Sequence, residues 1–175
     1  MNDQPELGLA IPSAGRLLTL EYNRRAVKWL LNVGCMVAVD EITTWATQER
    51  CDAVGFHHGL CIVVEVKISR GDFLRDRKKQ HRQEGKGMGQ WRYYMTPPGL
   101  LRPEELPAGW GLVEVAGKVC RIVHGEKRPC SFSVPAPFQG DRYAEAGLLT
   151  SLVRRLRDGE PSASRIATKN RTAGE

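Results

Sequence analysis

The order in which helical and extended patterns alternate along the chain predicts an α/β protein: one helix, three strands, a second helix and two or more further strands, an α-β-β-β-α-β order. Three observations carry this. Residues 51–56 and 60–66 are short runs rich in β-branched residues, joined by the glycine-bearing His57-His58-Gly59, and read as a hairpin leading into a central strand. Ahead of them, Val27, Leu30 and Leu31 recur at helical spacing. Behind them, Ser69 and Asp72 have the spacing of a helix cap and its third residue.

Taken in order, 21–33 reads as the first helix, with Gly34 as its terminator. Residues 35–43 read as a strand through Met36, Val37, Ala38 and Val39, followed by the hairpin strands at Asp52 and Glu65. A helix is expected from about Gly71, with Arg75, Lys78, Lys79 and Arg82 on one face. After Phe73 and Leu74 it has no apolar stripe until Met88, so its second half is expected to order on nucleic acid. The alternating glycines of 84–90 lack P-loop spacing and read as a connector. Residues 91–96 form a further strand, 111–115 and 119–123 a hairpin, and 129–137 a proline-punctuated loop. The last helix spans 143–157, with Leu148, Leu149, Leu152, Val153 and Leu156 expected inward.

The chemistry concentrates at Asp52, Glu65 and Lys67. In an antiparallel pair the start of one strand lies beside the end of the next, so Asp52 and Glu65 can converge although thirteen residues separate them. Side chains alternate along a strand, so Glu65 and Lys67 share a face and Val66 takes the other. Carboxylates are hard oxygen ligands suited to Mg²⁺ or Mn²⁺. A strand as apolar as Leu60-Cys61-Ile62-Val63-Val64 is buried on both faces, and charges at its end usually serve chemistry or a metal. Lys67 can act as an amine of lowered pKa or as a fixed positive charge on a pentavalent phosphate, and both roles stay open. Ser69 and Asp72 read as a helix start, and Asp76 as a partner for basic residues on its own helix. Trp91 and Tyr93 are assigned to packing first, although aromatic groups beside a basic stretch can stack on bases.

The run Val64-Glu65-Val66-Lys67-Ile68-Ser69-Arg70-Gly71-Asp72-Phe73-Leu74-Arg75-Asp76-Arg77-Lys78 resembles the E-x-K-x-S-x-x-D-F-x-x-D-x-K run of MmcB-type bacterial DNA-repair proteins and related phage proteins, within the PD-(D/E)XK nuclease superfamily. Cys51 stands where the superfamily name has a proline. The resemblance spans about residues 21–115. It implies a restriction-endonuclease-like core, a mixed central sheet flanked by helices, in which Asp52 and Glu65 bind metal and Lys67 orients water or stabilises charge. It also makes Glu41 a candidate further acidic ligand, and the backbone carbonyl of Val66 another candidate ligand.

Length suits one nuclease-like domain over 16–158, with a flexible segment at 1–15 and a disordered tail at 159–175. No apolar run approaches the roughly twenty residues that span a bilayer, and the polar start lacks a signal-peptide layout, so a cytoplasmic protein is expected. Five cysteines, with no C-x-x-C pair, read as reduced thiols rather than a zinc or iron–sulfur site. The net charge is +6, and the segment 66–92 carries nine basic residues against three acidic ones, the footprint of a phosphate-backbone binder. Arg70, Arg75, Lys78, Lys79, Arg82 and Lys86 are the candidate nucleic-acid contacts. The expected activity is metal-dependent DNA hydrolysis in repair, recombination or phage DNA processing, on single-stranded, duplex or branched DNA. The alternatives are a non-catalytic binding module, a resolvase acting as a homodimer on branched DNA, and a scaffold for an acidic protein.

Overall fold

A computed structural model describes residues 13–42, 50–77, 87–158 and 166–169. Helix α1 (Ala14–Asn32) starts where the Ser13 side chain accepts from the Arg16 amide, well before the expected Glu21, because the cap lies there. Tyr22, Ala26, Trp29 and Leu30 recur at helical spacing along its buried face. Strands β1 (Val37–Ile42), β2 (Cys51–His57) and β3 (Leu60–Val66) follow as an antiparallel meander. His57 pairs with Leu60, so the β2–β3 turn is the two residues His58 and Gly59, both at positive φ as a tight hairpin requires.

Helix α2 (Arg70–Asp76) is capped by Ser69, whose hydroxyl accepts from the Asp72 amide and donates to the Asp72 carboxylate. The expected long basic helix is therefore described only for its first two turns. Lys78, Lys79, Arg82 and Lys86 lie outside the described residues. Strand β4 (Trp91–Thr96) returns parallel to β3, β5 (Trp110–Ala116) is parallel to β4, and β6 (Val119–His124) turns back antiparallel. Helix α3 (Arg142–Asp158) closes the domain, and β7 (Ile166–Thr168) pairs with β1.

Among the described residues the result is a mixed seven-stranded sheet in the order β6-β5-β4-β3-β2-β1-β7 with three α-helices, an α/β fold. α1 covers one face through Ile62, Val64, Val66, Tyr93 and Met95. The other face carries Val54, Cys61 and Val63 against Leu148 and Leu152 of α3. Beside them lies a second cluster built on Phe73, Tyr94 and Trp110. β3 is thus apolar on both faces until Glu65, as its composition predicts. No described helix is long and apolar enough to cross a membrane.

Several expectations change in detail. Residues 166–168 of the supposed disordered tail form an edge strand, with Val39 opposite Ile166, because β1 otherwise presents an unpaired edge. Leu149, Val153 and Leu156 of α3 are exposed, since only the Leu148–Leu152 stripe of this helix meets the sheet. Residues 87–90 are not a loose connector. Met88 is fully buried, the Gly89 amide donates to Glu145, and Gln90 donates to Glu145 and accepts from Cys61.

Candidate active site

Pairing places Ala53 opposite Val64 and Glu65 opposite Tyr94, so Asp52 and Glu65 meet at the end where β3, β4 and β5 finish. The Asp52 carboxylate accepts the Val66 amide at 2.8 Å, which extends the β2–β3 ladder by a side chain and fixes its direction. The Lys67 amide continues the parallel ladder by donating to Met95. Its ammonium lies 3.1 Å from Glu65 Oε2, 3.5 Å from Asp76 Oδ1 and 3.8 Å from Asp52 Oδ2. Asp52, Glu65 and Lys67 are therefore gathered at one point.

Asp76 joins them, a placement that the expected pairing with basic residues of its own helix did not include. It lies three residues after Phe73, whose ring is fully buried against Tyr94, and so takes the inward face of α2. There it accepts from the Tyr94 hydroxyl at 3.0 Å as well as contacting Lys67. Tyr94 is clamped between Phe73 and Trp110, stacking on the latter at 4.4 Å. The signal was present in the sequence as the spacing Phe73 to Asp76; Tyr94 carried no comparable signal.

Accessibility separates the three carboxylates. The side chains of Glu65 and Asp76 are 2 % exposed, whereas that of Asp52 is 27 % exposed, so an incoming molecule reaches Asp52 first. Burial and the neighbouring Glu65 charge push the Asp52 carboxyl up to about 7, against the opposing pull of Lys67 and the Val66 amide. Burial acts to lower the Lys67 ammonium, but Glu65, Asp52 and Asp76 outweigh it and leave its pKa raised. Lys67 is therefore a held positive charge, not an amine poised to lose its proton.

Glu41 lies across from Asp52 by register, between the pairs Asp40–Ala53 and Ile42–Cys51. Its backbone is in the left-handed region at φ 47°, a strained setting for a glutamate. Its carboxylate accepts from Asn23 at 3.3 Å and lies 3.8 Å from Arg50. Val66 turns its side chain into the α1 face, and its peptide joins Glu65 to Lys67. Among the described residues no three carboxylate, imidazole or thiolate groups form a ready-made metal site. The donor set nevertheless suits a hard divalent cation, with two carboxylates close enough for Glu65 to raise Asp52 and one of them open to solvent.

The candidate phosphate contacts divide. Arg70 is bound to Glu105, which it holds down to about 2, and also donates to the Leu100 carbonyl. Arg75 pairs with Asp72 but remains largely exposed. Arg92, counted in the basic stretch, is fully buried: it donates to the carbonyls of Gly87 and Gly89 and lies over the Phe138 ring, so its guanidinium does not stand at the surface to contact a phosphate. Trp91 and Tyr93 are core residues, as expected.

No family model matches the chain, and no curated protein matches it. The chain is similar in structure to a protein of unknown function from Silicibacter pomeroyi. The two are 24% identical with a TM-score of 0.53, over 89% of this chain and 98% of that one. The likeness speaks to the fold alone.

Proposed function

We propose that this protein is a divalent-metal-dependent DNA nuclease of the PD-(D/E)XK type. The observation that carries the reading is the convergence of solvent-facing Asp52 and buried Glu65 beside a Lys67 held charged at the end of an otherwise apolar strand. Asp52 and Glu65 would hold Mg²⁺ or Mn²⁺, with the Val66 carbonyl and Glu41 as further candidate ligands. Such an ion supplies activation of water and neutralisation of charge on the phosphate. Lys67 then presents its ammonium to the charge that builds on the scissile phosphate. Asp76 and Tyr94 position that ammonium. Arg75, and the basic residues of 78–86, would bind backbone phosphates.

A second reading, a DNA-binding module that does not cut, is favoured by one observation. The Lys67 ammonium already lies among all three carboxylates and balances part of their charge without a metal. Cleavage of single-stranded, duplex and branched DNA with Mg²⁺ or Mn²⁺ separates the two. The parent is expected to cut, while Asp52→Ala and Lys67→Ala bind DNA but do not cut. If the parent binds every substrate and cuts none, the binding module replaces the nuclease.

A further inference from the structure

On the sheet face opposite the acidic cluster, α1 and the β5–β6 hairpin enclose a cleft of about 730 Å³. Arg25, Lys28, Lys118, Arg121 and Lys127 line it, from three separate segments of the chain, and among the described residues no carboxylate does. Its apolar wall is formed by Trp29, Val119 and Ile122. Arg25 is paired with Glu21 and donates to the Gly117 carbonyl, which ties α1 to the hairpin tip. Lys28, Lys118 and Lys127 are exposed, and none of them forms an ion pair among the described residues. Burial pushes up the Cys120 thiol in the wall, while the Arg25 and Lys28 charges pull it back. A concave surface with charge of one sign over low-dielectric walls focuses its field on anions.

The position is as informative as the charge. β3, β4 and β5 are parallel, so the hairpin tip after β5 lies at the same end of the sheet as Glu65 and Lys67. Arg25 and Lys118 line the cleft near that end, where Arg25 meets the Gly117 carbonyl, and its lining continues along α1 to Val33. We infer that this cleft is a second phosphodiester-binding track, which holds nucleic-acid backbone as it passes round the end of the sheet from the acidic cluster. The inference rests on the DNA reading above and extends it to residues outside the 66–92 stretch. Recognition there is by backbone charge rather than base edges.

The test is binding of fluorescent single-stranded and duplex DNA by anisotropy, in EDTA so that no cleavage intrudes, across a range of salt concentrations. Lys28→Ala/Lys118→Ala is compared with Arg16→Ala/Arg154→Ala, which removes the same charge elsewhere on the surface, and with Lys28→Arg/Lys118→Arg. The cleft double variant is expected to bind at least about tenfold more weakly, and its log K against log salt slope to fall by about two. The Arg pair is expected to retain parental binding, and the distant double variant to lose far less. Equal losses in the two alanine variants, or no loss in either, overturn the track. A parent that cuts DNA while the cleft variant binds normally removes this inference alone. A parent that binds through the cleft but never cuts removes the nuclease reading alone.

Discussion

Asp52 carries two properties that belong together: it is the most exposed of three clustered carboxylates, and its carboxyl is pushed up to about 7 by burial and by Glu65. In the metal-free protein this has a definite sign. The folded state holds a proton that the unfolded chain releases near the ordinary carboxylate range, so the stabilisation from this group is complete below about pH 4 and is lost as pH rises through about 7. Asp52→Asn removes that dependence. Urea unfolding in EDTA is expected to show the parent losing about 2 kcal/mol relative to Asp52→Asn between pH 4 and pH 8, a figure reduced for the exposed part of the side chain. Parallel pH profiles for the two proteins would show that Asp52 is not strained by its neighbour. At this scale Asp52, Glu65 and Lys67 were legible because strand alternation and hairpin pairing are local rules. The inward placement of Asp76 was missed because charge pairing on its own helix was ranked above the three-residue spacing from Phe73. Tyr94 was hidden because its role depends on the parallel pairing of β3 with β4, which no local pattern encodes.

At the scale of elements, the strands and helices were legible wherever a hydrophobic period or a turn residue marked them. β4 was read at its observed bounds from Trp91 to Thr96, and the β5–β6 hairpin was read from Gly117. β7 was missed because three residues of small and branched side chains become a strand only by borrowing the edge of β1. The inward stripe of α3 was read too broadly because its apolar residues exceed what the sheet can cover. Close approach between elements gives a prediction here. A Cβ on Gly111 of β5 would stand 2.3 Å from the buried Tyr93 ring of the neighbouring β4, and that ring also packs edge-on against Trp29 of α1. Gly111→Ala is therefore expected to destabilise the fold by about 2–3 kcal/mol in urea unfolding. A change under about 0.5 kcal/mol would mean that the Tyr93 ring moves aside freely.

Across the whole molecule, the antiparallel meander followed by parallel β3, β4 and β5 brings the acidic cluster and the hairpin tip that lines the basic cleft to one end of the sheet, on opposite faces. Composition announced the basic character of the chain but not where it acts. Arg92 is buried and Arg70 is engaged by Glu105, while the cleft cations come from segments too far apart in sequence to look like a cluster. In the proposed nuclease, Asp52, Glu65 and Lys67 hydrolyse DNA with a divalent ion. Single-turnover cleavage of a labelled DNA substrate, measured against Mn²⁺ concentration for the parent and for Glu65→Gln, tests it most directly. The parent rate is expected to rise and saturate with Mn²⁺ and to vanish in EDTA, with Glu65→Gln at least about a hundredfold slower and its DNA affinity unchanged. A parent rate indifferent to the ion, or a Glu65→Gln variant that cuts as fast as the parent, would overturn the metal-dependent nuclease.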